Sequence, residues 1–171
     1  MCKEKSFETE NDYFYQKIRK MNQTFDINVT SRNIVSKFLS GYTLEQLNAI
    51  PDGYSNNLIW NIGHIIVTQQ LLVYKISDLP MMISNELVEK YKKGTKPEHI
   101  ATQTEVDEMK SLLFETINQT KVDYDKQTFE NYKEYPTSTG FTLKSVEDAL
   151  VFNNFHEGLH IGIMMSIRKF V

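Results

Sequence analysis

Apolar residues recur along most of the chain at helical spacing, and four long stretches stand out. Over Thr24 to Leu39, the positions Phe25, Val29, Val35, Phe38 and Leu39 fit one face of a helix. Gly41 is a helix stop. Thr43 followed by Gln46 forms a capping-box signal that opens a short helical turn through Asn48. Pro51-Asp52-Gly53 marks a turn. Asn56 or Asn57 then caps a second long helix running to about Ile76, and Leu79-Pro80 ends it. Residues 81–103 are mixed, with "KKGTKPEH" as an exposed loop. Thr104 with Asp107 starts a third helix, whose core stripe is Val106, Met109, Leu113 and Ile117. Residues 123–141 form a long aromatic connection carrying Tyr124, Phe129, Tyr132, Tyr135 and Phe141. Ser145 with Asp148 opens the last helix, Val146 to Arg168.

Strand signals are weak throughout, so the expected fold is all-α: a four-helix bundle with short peripheral helices and the aromatic loop before the last helix. Residues 1–23 are expected to be an N-terminal extension, either an arm or a helix over Asp12 to Met21, ahead of a bundle domain spanning 24–171.

Composition narrows the class. The chain has 171 residues, 40% hydrophobic and 24% charged, which suits one globular domain. A net charge of -3 argues against phosphate neutralisation, so no nucleic-acid partner is expected. The one cysteine, Cys2, permits no disulfide framework and points to a reducing compartment. The opening "MCKEKSFETEND" has no apolar core of a secretory signal, and no apolar run reaches membrane-spanning length. A cytoplasmic protein with no membrane partner is expected.

Candidate chemistry sits in the histidines. His156 and His160 lie about 40° apart on the last helix and share a face with Ala149, Phe152, Asn153, Ile163 and Ile167. Imidazoles four residues apart on a helix can reach one cation. "HEGLH" formally fits HExxH, the metalloprotease helix with Glu157 as general base. Only eleven residues follow His160, however, and no downstream ligand is among them. A third ligand is available in His64, whose side of the second helix also carries Asn57, Asn61 and Thr68, with Trp60 and Leu71 flanking. That lining suits a wet pocket better than a plain core. His99, in "TKPEHI", reads as an exposed loop residue. Periodicity alone leaves open whether the three inward histidines bind a metal or are hydrogen-bonded core residues.

"LEQLNAIP" followed by "NNLIWNIGHI", together with "SVEDALVFNNFHEGLHIGIMMSIRKF", resembles the DinB-like, or YfiT-like, family of four-helix metalloenzymes. The likeness runs from about Phe25 to the C-terminal end. It implies that His64, His156 and His160 are the three ligands of one divalent metal per chain, zinc or nickel, with water completing the shell. It also implies a four-helix bundle, often dimeric. Family members are similar to thiol-dependent transferases and isomerases, including users of bacillithiol or mycothiol. The activity implied is therefore thiol-dependent S-transfer or related detoxification of a small-molecule substrate, with a low-molecular-weight thiol as co-substrate. Asn61, Thr68 and Asn153 become candidates for contacts behind the ligands or with substrate, unless each only caps or bridges helices. The alternative is a metal-binding or ligand-sensing bundle without turnover.

The backs of the two histidine helices are apolar as well. Val151, Gly158, Gly162 and Met165 lie opposite the histidine pair, and Ile59, Ile62, Ile66 and Val73 lie opposite His64. A helix apolar on both sides is covered on both. The cover is expected to be the N-terminal segment, the aromatic loop or another subunit, and a homodimer is the expectation.

Overall fold

A computed structural model describes the backbone of residues 4–171 and the side chains of Asp12 and of 15–171. Cys2 lies outside the described residues. Helix α1 is continuous over Glu4–Gly41. Its buried stripe is Met21, Phe25, Asn28, Arg32, Val35 and Leu39, at alternating spacings of four and three. Val29, expected on that face, is 37% exposed. The seam runs through Asn28 and Arg32, so a search for apolar residues alone picks the wrong neighbour.

Thr43 caps α2 (Leu44–Asn48) in the expected box: Gln46 N–H donates to Thr43 Oγ1 at 3.2 Å, and Thr43 N–H to Gln46 Oε1 at 3.0 Å. Asn57 caps α3 (Leu58–Gln70) by accepting from Trp60 N–H at 2.9 Å. The helix expected to run to Ile76 changes at Leu71–Lys75 into a π-helical turn. There Ile76 N–H reaches back five residues to Leu71 O at 3.3 Å. The mixed segment 81–103 holds one more helix, α4 (Asn85–Tyr91), capped by Ser84 and burying Leu87, Val88 and Tyr91. Helix α5 (Gln103–Asp125) starts two residues earlier than the sequence suggested. Glu105 reaches back to Thr102 N–H at 2.8 Å, completing a capping box there, while Asp107 accepts from Gln103 instead. Its stripe Val106, Met109, Leu113 and Ile117 is buried as read.

The aromatic connection is packed rather than loose. Tyr132 Oη donates to Leu72 O at 3.0 Å, and Phe129 meets Tyr74 edge-on. A two-stranded antiparallel ladder, β1 (Tyr135–Pro136) and β2 (Thr142–Leu143), closes it, with Tyr135 opposite Leu143. Helix α6 (Val146–Ile167) follows, with Ser145 as its cap.

Helices α1, α3, α5 and α6 form the bundle, with α1 and α3 each packed against both α5 and α6. The isoleucines on the back of α3 are covered within the chain: Ile59 is 2% exposed, Ile62 and Ile66 are fully buried, and α2, α4 and α5 pack around them. For these three the expected cover is thus corrected, because peripheral helices supply it, whereas Val73 is buried in a cluster with Met21 of the N-terminal segment and with Phe129 and Tyr132 of the aromatic connection, as expected. The back of α6 is different. Val151, Phe155, Leu159 and Met165 are 41–52% exposed, and Ile163, expected on the inward histidine face, is 40% exposed beside them. Among the described residues no helix is long and apolar enough to cross a membrane.

Candidate metal centre

Helix α3 delivers His64 from inside the bundle, where it is 5% exposed, and α6 delivers His156 and His160 from a half-buried edge. The three rings meet with centroids 4.6–5.1 Å apart. One ligand nitrogen from each lies within 4.8 Å of the others. His64 Nε2 and His156 Nε2 are 3.2 Å apart.

Two of the rings are oriented from behind. His64 Nδ1–H donates to the carbonyl of Tyr91 at 2.7 Å, because a carbonyl can only accept. Tyr91 comes from α4, and α4 approaches α3 closely because position 63 is glycine. A Cβ on Gly63 would lie 2.5 Å from the Tyr91 ring. Trp60 lies flat on the other side of His64, with centroids 4.7 Å apart and planes 10° apart. His160 Nδ1 is 2.8 Å from Asn61 Oδ1. The Asn61 amide cannot be reversed without loss, since its Nδ2–H donates to Asn57 O at 2.7 Å. His160 Nδ1 is therefore the donor. Both rings are left with an unprotonated Nε2 free for a metal, the arrangement found behind metal-bound histidines.

Electrostatics keep the rings neutral. Burial, then the neighbouring His160 and His64 and then Arg32, push His156 down to about 3. Burial, then His64, takes His160 to about 4. Burial also lowers His64, against the Tyr91 hydrogen bond and with help from Lys93. Metal ligation requires the neutral imidazole. Three neutral imidazoles at a half-open edge could hold a zinc-like ion and leave a coordination position free.

The residues singled out in the sequence divide clearly. His64, His156 and His160 come together; His99 stays in its exposed loop, 3.3 Å from Glu105. Asn61 stands behind His160, and Thr68 Oγ1 lies 3.3 Å from His64 Nε2. Asn57 caps α3 and donates to Asn48 O instead of lining the centre. Asn153 donates to Glu157 Oε1 at 2.8 Å. Glu157 is not poised as a general base: it is fully buried and ion-paired with the equally buried Arg32, at 2.9 Å from Nε and 2.8 Å from Nη2. Sequence reasoning missed Arg32, Gly63 and the Tyr91 carbonyl. Arg32 alone left a signal, as the one charge in an otherwise regular α1 seam.

A four-helix bundle with a three-histidine cluster between two of its helices is the class that fold and site define. Residues 28–164 match the family model of the DinB superfamily, and the chain belongs to that superfamily. A conserved protein from Enterococcus faecalis, known from its crystal structure, has a similar fold. It aligns over 88% of this chain and 95% of its own, with a TM-score of 0.61 and 14% identity. No curated protein matches the chain.

Proposed function

We propose that the protein is a divalent-metal-dependent enzyme, with His64, His156 and His160 as ligands, acting on a small molecule by thiol-dependent S-transfer or related detoxification chemistry. The observation that supports it is the convergence of three imidazoles, two with their Nδ1–H groups fixed from behind, at the only such cluster among the described residues. A zinc or nickel ion there would supply charge that lowers the pKa of a bound thiol or water. The chain's own groups do the rest. Tyr91 and Asn61 aim the rings, Trp60 covers one face of His64 against water, and the Thr68 hydroxyl stands beside His64 Nε2.

The test is metal content. Protein purified without chelator is expected to carry about one divalent ion per chain, and His64→Ala to carry far less. No metal, and no uptake of added zinc or nickel, overturns the reading. Loaded protein that binds a low-molecular-weight thiol without consuming it with any electrophile points to the alternative, a metal-binding or ligand-sensing bundle.

A homodimer through α6 belongs to the same proposal. Its outward residues from Val151 to Met165 are apolar or glycine, and nothing lies within 4 Å of where a Cβ would stand on Gly158 or Gly162. Exposed patches of this kind mark interaction surfaces. Light scattering is expected to give twice the chain mass at micromolar concentration, and Leu159→Glu to halve it. A wild-type monomer removes the dimer.

A further inference from the structure

The three histidines are not equally supported. His64 and His160 each donate from Nδ1 to a fixed oxygen. His156 Nδ1 is buried and has no partner. A neutral ring that gives Nε2 to a metal carries its proton on Nδ1, and a buried N–H without an acceptor is destabilising. His156 Nε2 faces the cluster, 3.2 Å from His64 Nε2, so a metal taken there by Nε2 leaves the proton of His156 on Nδ1, where the chain as it stands offers no acceptor.

We infer that Asn153 is the positioning residue for His156: its Oδ1 accepts the Nδ1–H of His156 when the site holds a divalent metal. This rests on the reading of the three histidines as ligands. Asn153 Oδ1 is itself buried and without a partner. The two residues are three apart on α6, a spacing that makes side chains neighbours on a helix. The orientation of the amide is set from the far side, as at Asn61. There Nδ2–H donates to Asn57 O and leaves Oδ1 for His160. At Asn153, Nδ2–H donates to Glu157 Oε1, and Arg32 anchors that carboxylate. Arg32, Glu157 and Asn153 thus form a buried chain that ends in an acceptor.

The other partnerless acceptors fit less well. Glu157 Oε2 belongs to the residue next to His156, and adjacent helical residues do not face each other. Asn28 Oδ1 is on α1, with its amide engaged by Asn154 on the opposite flank of α6.

Nitrogen-15 NMR of the full chain loaded with zinc tests this directly. His156 is expected to be bound through Nε2, with an Nδ1–H that exchanges with water as slowly as those of His64 and His160. In Asn153→Leu that one signal is expected to be lost to exchange while the other two persist. Zinc affinity, read by competition with a chromogenic chelator, is expected to fall about 10- to 100-fold. The inference is overturned if His156 binds zinc through Nδ1 or if its Nδ1–H exchanges as in a free imidazole. It is also overturned if folded Asn153→Leu keeps the wild-type affinity. Should Asn153→Leu not fold, the wild-type spectrum decides alone. Failure of the wild type to take up zinc overturns this inference and the metal site together, whereas zinc uptake with an unprotected His156 Nδ1–H removes only the role of Asn153.

Discussion

Helices α5 and α6 have nearly the same length, and both lie in the bundle with α1 and α3. They are built the opposite way round. On α5 the interior is Val106, Met109, Leu113 and Ile117 with the hydroxyls of Thr116 and Thr120 as its polar groups, and the outward face carries pairs such as Lys121–Asp125 and Gln119–Asp123. On α6 the interior includes Asn153 and Glu157 with both histidines at its edge, and the outward face from Val151 to Met165 has no charged residue. A helix whose only task is to close a core follows the α5 pattern. Polar groups inside α6 are there to be used by one another and by the site. The apolar surface outside lies open within one chain.

The largest expected effect lies in the interior of α6. Glu157→Gln leaves the fully buried Arg32 without its counter-charge and should cost about 3–5 kcal/mol of stability. Leu113→Ala, at the matching depth of α5, should cost about 2–5 kcal/mol by opening a cavity. The two differ in how they are rescued. Replacing both charged partners, as in Arg32→Met with Glu157→Leu, should recover most of the α6 loss, because the damage is an unpaired charge and not lost volume. Denaturant unfolding of the metal-free protein measures all of these. A Glu157→Gln variant near wild-type stability would show that the interior of α6 tolerates charge without pairing.

The same inversion explains what could be read in the sequence. On α5 the apolar stripe gave the correct core, although its cap was placed at Thr104 where Thr102 does the work. On α6 the histidine spacing placed His156 and His160 in the ring cluster, while Val151, Gly158, Gly162 and Met165, read as a covered back, are exposed in the single chain. Asn61, named as a candidate behind the ligands, does stand behind His160, but the other partners were illegible, because they come from far along the chain. The Tyr91 carbonyl carries no side-chain signature, and Arg32 meets Glu157 across 125 positions. Nor does local pattern reveal that Gly63 is there to admit a ring from a short helix in a segment that looked irregular. Local spacing records which residues share a face. It does not record which remote backbone atom will stand behind them.

Acid should separate the two helices next, because α5 contains no histidine. His156 and His160 are held near 3 and 4 in the folded chain, with burial as the main cause, and His64 is lowered too. An unfolded histidine titrates near about 6.5. Folded pKa values below the unfolded one mean that the unfolded chain binds more protons as pH falls. The metal-free protein should therefore keep its full stability above about pH 6.5 and lose it steadily from there toward pH 4. Replacing His156 by Leu should flatten the slope in that window. A flat profile between pH 6.5 and pH 4.5 in the wild type would contradict the buried, neutral state of the cluster.

A smaller effect is expected where the polar interior of α6 is met by α3. Gly63→Ala drives a methyl group into the Tyr91 ring, and overpacking of this kind costs about 1–3 kcal/mol. Tyr91 also holds His64 through its carbonyl, so the variant should lose metal affinity along with stability. Stability lost with metal affinity intact would mean that α4 can shift without carrying the carbonyl away.

The smallest effect has the most informative sign, and it concerns the outward face of α6. Within one chain, the space beside Gly158 and Gly162 is empty, so alanine meets no obstacle there. Alanine is preferred to glycine inside a helix by about 1 kcal/mol. If α6 faced water as α5 does, Gly158→Ala and Gly162→Ala would each raise stability by about that amount. If a second copy lays its backbone against this face, the added methyl groups hold the two surfaces apart, and dimer affinity falls even as each chain gains helix propensity. Unfolding measured at low and at high protein concentration separates these outcomes. A gain at low concentration that turns into a loss at high concentration fits a covered face. A gain that is the same at every concentration means that the glycines have no partner and that the apolar surface of α6 meets something other than itself.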